Sequence, residues 1–373
     1  MTVHIDAQYF REQLMGKAPA HLRGVTQPIL SSWDDVDELL YACEINAGYV
    51  KLIGERPLGE AEFAERIPYY GQTKTCLNRE RLYNELANGA TLVLNRLEMR
   101  SLRIKRLCNA IAHLSLGQVV ANGYLAMTGD SAFGNHWDAH DVFATQLIGR
   151  KRWKIYKPTF ANPIAGQLSR DRREECPTEA VLDVITEPGD ILYIPRGWWH
   201  CAYPSEGECF HLAIGVHKPY VLDYLGWLSA SVLNQHEACR DSLSLGQALP
   251  LDASMAQEMA RLAQDESTLN AFERMVFFKE RMDGGLNLGA WFARDLQALE
   301  ARQVRLATPY SDLVQRDNLA LNGLRLQDNL LTRQLIDGPC ALADLRVRLT
   351  QLDDDTFLQT IKELMAKGVV HLY

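Results

Sequence analysis

A mainly β core, followed by a helical region and a small α+β module, is the fold class that this 373-residue sequence predicts. Three observations carry it. Short apolar segments broken by turn residues crowd residues 141–216 with no helical period between them, which favours an antiparallel barrel or jelly roll. Beyond residue 217 the apolar spacing changes to the helical period. The last stretch, 301–373, mixes both patterns.

In chain order, residues 1–120 read as helices and short strands. Ile104, Leu107 and Ile111 recur at helical spacing and predict a packed helix over 100–114. Residues 141–148 predict a strand that ends in a turn at Gly149-Arg150. Charged and apolar residues then alternate over 151–156, and Pro158 closes that strand. An apolar stretch at 181–185 ends at the turn Glu187-Pro188-Gly189-Asp190, residues 191–194 follow as a strand, and 209–216 forms the last one. Helices are expected over 220–235, 254–264, 269–280 and 288–300. Residues 319–326 alternate like a hairpin, 340–349 and 355–367 are helix-like with Asp353 or Asp354 as cap to the second, and 368–373 ends as a strand. That order predicts a winged-helix-like module.

The length suits two or three domains, divided here as 1–218, 219–300 and 301–373. Apolar residues make up 47%, enough for a buried interior, and no run is long and uncharged enough for a membrane helix. The opening residues, with His4, Asp6 and Gln8, lack a charged-then-apolar signal pattern. Eight cysteines contain no Cys-x-x-Cys pair, so neither a zinc ribbon nor a disulfide scaffold is indicated, and free thiols suit a reducing cytoplasm. The formal charge of −8 favours encounter with basic partners. Residues 301–373 hold nine Lys+Arg and nine Asp+Glu, without the basic excess that a phosphate backbone demands. Direct nucleic-acid binding is not expected, and the module reads as an interaction or structural appendage.

The chemistry-bearing residues are His136-Trp137-Asp138 and, 62 residues on from Asp138, His200 at the end of the run from Gly189. Two histidines and a carboxylate make a 2-His-1-carboxylate facial triad, which leaves three positions of an octahedral iron open. On a strand His136 and Asp138 point the same way, as two ligands of one metal must. His140 shares that parity, so the residues alone also leave open a triad of His136, Asp138 and His140. His211 and His217, taken singly, read as structural histidines of an apolar strand. Lys151 sits in the basic run Arg150-Lys151-Arg152, and parity puts Lys151 and Trp153 on one face with Arg150 and Arg152 on the other.

From about residue 88 to 217 the chain resembles the JmjC-type cupins and, within them, the ribosomal oxygenases. The resemblance is carried by His136-Trp137-Asp138, Asp141-Val142-Phe143, the stretch from Gly149 to Trp153, and Gly189-Asp190 through His200. It implies a double-stranded β-helix (jelly-roll cupin) core of JmjC type. It further implies Fe(II) held by His136, Asp138 and His200, with 2-oxoglutarate and O2 as co-substrates. By the same resemblance Lys151 would bind the distal carboxylate of 2-oxoglutarate, and Asn122 and Tyr124 fall where polar co-substrate contacts lie. A compact ammonium donor suits that carboxylate, and a tyrosine hydroxyl adds a neutral hydrogen bond. His140 departs from the family pattern and, with His211, Trp198 and Trp199, is a candidate for the substrate pocket; core packing of both tryptophans is the alternative. The helical region implies a homodimer.

The activity that these residues predict is hydroxylation of a side chain on a protein substrate, a basic ribosomal protein being compatible with the charge, with release of succinate and CO2. Two alternatives stand beside it: the same chemistry on a biosynthetic peptide or small metabolite, and a cupin/winged-helix binding module with a vestigial metal site. Manganese or zinc would also suit the donor set, since such N/O sites discriminate by geometry and metal supply.

Overall fold

The computed structural model describes residues 3–27, 29–128, 133–242, 245–246, 252–278, 285–310 and 320–373. It divides into two compact units, Met1–Lys218 and Pro219–Tyr373.

In the first unit, alternating apolar residues build one antiparallel sheet. Its strands are β1 (Ala20–Leu22), β2 (Val50–Ile53), β3 (Thr91–Leu94), β4 (Gln118–Ala126), β5 (Asp141–Tyr156), β6 (Leu182–Thr186), β7 (Ile191–Ile194) and β8 (Trp199–His217). Their order is β1-β7-β5-β8-β4-β3-β2, with β6 beside β5. On one face Phe143, Leu147, Tyr193, Phe210 and Leu212 join the buried side of helix α1 (Leu102–Ser115) in a single apolar cluster. Ser101 caps that helix by accepting the Ile104 N–H, so it starts two residues later than its spacing predicts. The other face carries Val142, Ala144, Trp153, Ile155, Leu192 and Ile194. Residues 191–194 form a strand as expected, and the strand expected at 181–185 begins one residue later.

Gly149-Arg150, expected as a turn, lies inside β5, and the final strand begins at Trp199 rather than at 209. The two long strands pair with each other over both halves, and the register between them breaks between Ser205 and His211. Gly149 takes a left-handed conformation (φ 66°) at that break, and a Cβ there would run into the Glu208 carbonyl oxygen. This is a β-bulge, and its consequence is a change of parity. Even-numbered Val142 and odd-numbered Lys151 and Trp153 line one cavity. Along β8 the same cavity takes His200, Ala202 and Pro204, then His211, Ala213 and Gly215. The buried Gln146 amide donates to the carbonyls of Ile148 and Gly149, answering backbone groups that the bulge removes from the ladder.

The turn before β7 is held by a buried carboxylate. Asp190 accepts the N–H groups of Gly24 (2.9 Å) and Glu187 (3.1 Å) and meets His21 Nε2 at 2.8 Å. Burial works to raise its pKa, but the bonds from Gly24, His21 and Glu187 outweigh it and hold the carboxyl below its ordinary 3.8. The charged form is therefore the one that folding favours. Its contribution is complete above pH 3.8 and is lost as the pH falls through the lowered folded value. Asp190→Ala is expected to cost about 2 kcal/mol at neutral pH by orphaning these donors. Thermal melts should show the gap between wild type and variant closing in acid, and a gap independent of pH would contradict this account.

The second unit is described by itself. Helices span Val221–Ser231, Ala253–Gln264 and Glu266–Phe278. The remainder of the helix expected over 269–280 lies outside the described residues. The helix expected over 288–300 is shorter, Leu288–Trp291, with a 3-10 turn at Gln297–Leu299. Asp295 accepts the Ala298 N–H and restarts the chain locally instead of letting the first helix continue. The C-terminal residues place Gln303–Leu306 between Cys340–Ala341 and Val370–Leu372 in a three-stranded antiparallel sheet. Helices Leu342–Arg348 and Asp354–Ala366 bury Leu345, Phe357 and Ile361 in one cluster with Val304 and Val369, and Asp353 caps the second. The expected hairpin turns at Asn322-Gly323 between Ala320–Leu321 and Leu324–Arg325; Leu319 lies outside the described residues. Among the described residues no helix is long and apolar enough to cross a membrane.

Candidate metal centre

His136 and His200 face each other across an isolated antiparallel bridge in which each backbone N–H donates to the other's carbonyl, at 3.0 and 2.7 Å. A pair exchanging both bonds projects its side chains to one side of the ladder, and the two imidazole centroids lie 4.3 Å apart. The segment 136–138 precedes β5 and is not itself strand, so alternation does not orient it. Trp137 does so instead: it is buried against Trp199 and Phe160, and the residues on either side of it turn toward the cavity. Gly197 N–H, bonded to the Asp138 carbonyl at 2.9 Å, ties the aspartate to the loop that leads into His200.

The imidazole tautomers follow from their partners. His136 Nδ1 lies 3.0 Å from the Gly134 carbonyl, and His200 Nδ1 lies 3.0 Å from the Trp198 carbonyl. A carbonyl only accepts, so each Nδ1 carries the hydrogen and each Nε2 presents its lone pair. His200 Nε2 and Asp138 Oδ2 are 3.5 Å apart. One ligand atom from each of His136, Asp138 and His200 falls within 4.8 Å of the others. Burial, with His136 alongside, pushes His200 down to about 4, and the surrounding histidines hold Asp138 below its usual range against its burial. Two neutral imidazoles and one carboxylate are the donor set that a ferrous ion accepts in a facial triad. The residues fit the metal.

The same cavity, of about 440 Å³, is lined by Lys151, Tyr124, Asn122 and His211. Lys151 is only 5% exposed, and among the described residues no carboxylate pairs with it. Burial lowers its pKa, with Cys209 offsetting part of the shift. A buried ammonium without a counter-ion is costly, and the fold carries it facing the cavity. Tyr124 is pushed up to about 12 by burial and by the Asp138 charge, so its hydroxyl keeps its proton. The Tyr124 ring stacks on His211 at 5.2 Å, and Trp153 meets His211 edge-on at 5.3 Å. His211 Nδ1 and Trp153 Nε1 are buried without a hydrogen-bond partner among the described residues. Asn122 accepts the Arg96 N–H at 3.1 Å.

The cavity therefore brings together His136, Asp138, His200, Lys151, Tyr124, Asn122, His140 and His211. It does not include Trp198 or Trp199. Trp199 is fully buried against Trp137 and donates to Thr159 Oγ1 at 2.9 Å, and Trp198 packs on the apolar cluster around Trp153. His140 is not the third member of the metal group; its ring lies 4.6 Å from that of His217. His217, read from the sequence as a structural histidine, also lines the cavity, as does Phe133, which the sequence did not single out. The alternation 211, 213, 215, 217 was a signal for His217; nothing local marked Phe133.

Residues 94–224 match the JmjC domain family. The match covers 131 of the 373 residues. All the cavity residues named above lie within it. The bifunctional lysine-specific demethylase and histidyl-hydroxylase NO66 of Dictyostelium discoideum is 36% identical over 152 residues, covering 39% of this chain and 29% of that protein. Ribosomal oxygenase 2 of Rattus norvegicus is 33% identical over 132 residues, covering 34% of this chain and 28% of that one. The chain thus spans less than a third of the length of these curated relatives. Among solved structures, ribosomal oxygenase YcfD from Escherichia coli aligns over 100% of this chain and 99% of its own with a TM-score of 0.54 at 17% identity. A complex of that oxygenase with cobalt and 2-oxoglutarate aligns equally well. This likeness establishes a shared fold.

Proposed function

We propose that the protein is an Fe(II)- and 2-oxoglutarate-dependent oxygenase that hydroxylates a side chain of a protein substrate. The observation that carries this reading is one cavity holding both the His136, Asp138, His200 group and a buried Lys151 that no carboxylate pairs among the described residues. The metal group and the cation are what a chelating 2-oxo acid with a distal carboxylate requires. The relatives' names, histidyl-hydroxylase and ribosomal oxygenase, point the same way.

In this reading His136, Asp138 and His200 hold Fe(II), and Lys151 pairs with the distal carboxylate of 2-oxoglutarate. Fe(II) and 2-oxoglutarate, when bound, supply the chemistry that couples decarboxylation to succinate and CO2 with transfer of one oxygen atom of O2 to a C–H bond. The protein's own contribution is positional. Tyr124, its proton retained, donates a hydrogen bond to the carboxylate held by Lys151. Asn122 adds a further polar contact, and His211 Nδ1 and Trp153 Nε1 are donors or acceptors that a polar ligand would answer. Val142, Ala202 and Ala213 keep water from the remaining wall.

A basic ribosomal protein is the proposed substrate class, in keeping with the acidic chain and the relatives' names. We further read residues 219–300 as a homodimerisation region, supported by the exposed apolar side chains Val221, Leu222 and Leu225 on the helix Val221–Ser231. Residues 301–373 are proposed as a winged-helix-like interaction module, and the cytoplasm as the compartment, in keeping with eight free cysteines.

Mass spectra of peptides from basic ribosomal proteins, incubated with the Fe(II)-loaded protein, 2-oxoglutarate and O2, test the activity. A single added oxygen that is absent with His200→Ala is the expected outcome. Loss of a methyl group as formaldehyde would replace hydroxylation by demethylation.

A further inference from the structure

A second pair of histidines lines the cavity outside the metal group. His140 follows Asp138 by two residues, His217 closes β8, and their rings lie 4.6 Å apart at an interplanar angle of 31°. The His140 ring occupies the space above Gly215: a Cβ at that position would come within 2.8 Å of its Cδ2 and Nε2. Residue 215 is thus bare where the two imidazoles meet the cavity. Neither ring has a hydrogen-bond partner among the described residues, although His140 is half-buried and His217 exposed. Phe133, partly exposed, stands 5.9 Å from both Tyr124 and His136 and offers a flat apolar face to whatever enters.

We propose that His140 and His217 are specificity-determining residues that read the target side chain, selecting a neutral planar group with both a hydrogen-bond donor and an acceptor over a guanidinium or ammonium. The proposal deepens the oxygenase reading and rests on it. A neutral imidazole presents one N–H and one lone pair, so the pair offers both kinds of partner. A carboxamide or an imidazole answers both. A guanidinium carries donors only and leaves the histidine N–H groups unanswered, which is the kind of mismatch that polar sites reject most strongly. Burial, with His140 and Arg96 alongside, holds His217 below its usual range, which favours the neutral ring.

The test uses the full chain with isotope-labelled histidine, loaded with Zn(II) and 2-oxoglutarate without oxygen. Capped Gly-Gln-Gly, Gly-His-Gly and Gly-Arg-Gly peptides are titrated while the imidazole signals of His140 and His217 are followed by NMR. His140→Gln and His217→Gln assign those signals. The glutamine or histidine peptide is expected to move both signals and to bind about tenfold more tightly than the arginine peptide, and the stronger of the two identifies the carboxamide or the imidazole as the target group. That preference should fall to near unity in His140→Phe, which keeps a ring at the position but removes its donor and acceptor. Gly215→Ala, which displaces the His140 ring without removing it, should erode it too. Equal or tighter binding of the arginine peptide, no movement of either signal at millimolar peptide, or an intact preference in both variants would overturn the proposal. Binding of 2-oxoglutarate to the wild type, measured in the same samples, separates the two readings. Its absence would remove the oxygenase assignment, whereas peptide-dependent shifts of His140 and His217 would still establish the reading corner.

Discussion

Lys151→Met is expected to raise the melting temperature of the protein without ligands while weakening 2-oxoglutarate binding by about a hundredfold or more. Both effects come from the same side chain. Lys151 is buried and, among the described residues, no carboxylate lies beside it, so in the absence of an anion it is an uncompensated charge, and methionine fills its volume without that cost. The expected gain is about 1–3 kcal/mol, which is roughly 2–10 °C for a unit of this size. The pH dependence has a definite sign. The folded pKa lies below the ordinary 10.5, so between the two values the unfolded chain binds more protons than the folded one. Stability of the wild type therefore gains from this group as the pH rises through the lowered folded value toward 10.5, and the methionine variant lacks that gain. Calorimetry with and without 2-oxoglutarate checks both halves. A variant that melts lower and still binds 2-oxoglutarate normally would show that Lys151 has another role.

Gly149→Val should be the most damaging single change away from the metal group. The position needs a left-handed backbone, which a β-branched residue adopts at a cost of about 1–3 kcal/mol. Its Cβ would also strike the Glu208 carbonyl, so β5 and β8 must part at their bulge. A total of about 3–5 kcal/mol is expected in chemical denaturation. The functional loss should exceed the loss of folded protein, because the bulge sets the parity that turns Lys151 inward. Folded Gly149→Val protein is expected to bind metal through His136, Asp138 and His200 yet bind 2-oxoglutarate poorly. Unchanged affinity for 2-oxoglutarate in the folded fraction would contradict the parity argument.

The bulge also marks where the sequence stopped being legible. The alternation of residues 151–156 correctly put Lys151 and Trp153 on one face, and the His-x-Asp and distant His200 came together as their spacing and family resemblance implied. What no local pattern carried was the relation of that face to Val142, because Gly149 reads equally well as a turn and as a bulge, and only the long-range ladder with β8 decides. Trp198 and Trp199 were ambiguous for a similar reason: large aromatics suit a pocket wall and a core alike, and the buried partner Trp137 is remote in sequence. The helix expected over 288–300 failed where the Asp295 side chain captures a backbone N–H, a local competition that apolar periodicity does not register. His140 was noticed for its parity with Asp138, but its partner His217 lies at the far end of the domain, and only the closed sheet places the two rings together.

On the proposed reading one cavity takes both a ferrous ion and the co-substrate that chelates it. An anaerobic absorption titration of the Fe(II)-loaded protein with 2-oxoglutarate tests it most directly. The account predicts a charge-transfer band in the wild type, no band in His136→Ala, and a band in Lys151→Met that requires about a hundredfold more 2-oxoglutarate. A wild-type protein with stoichiometric iron and no band at any 2-oxoglutarate concentration would contradict it.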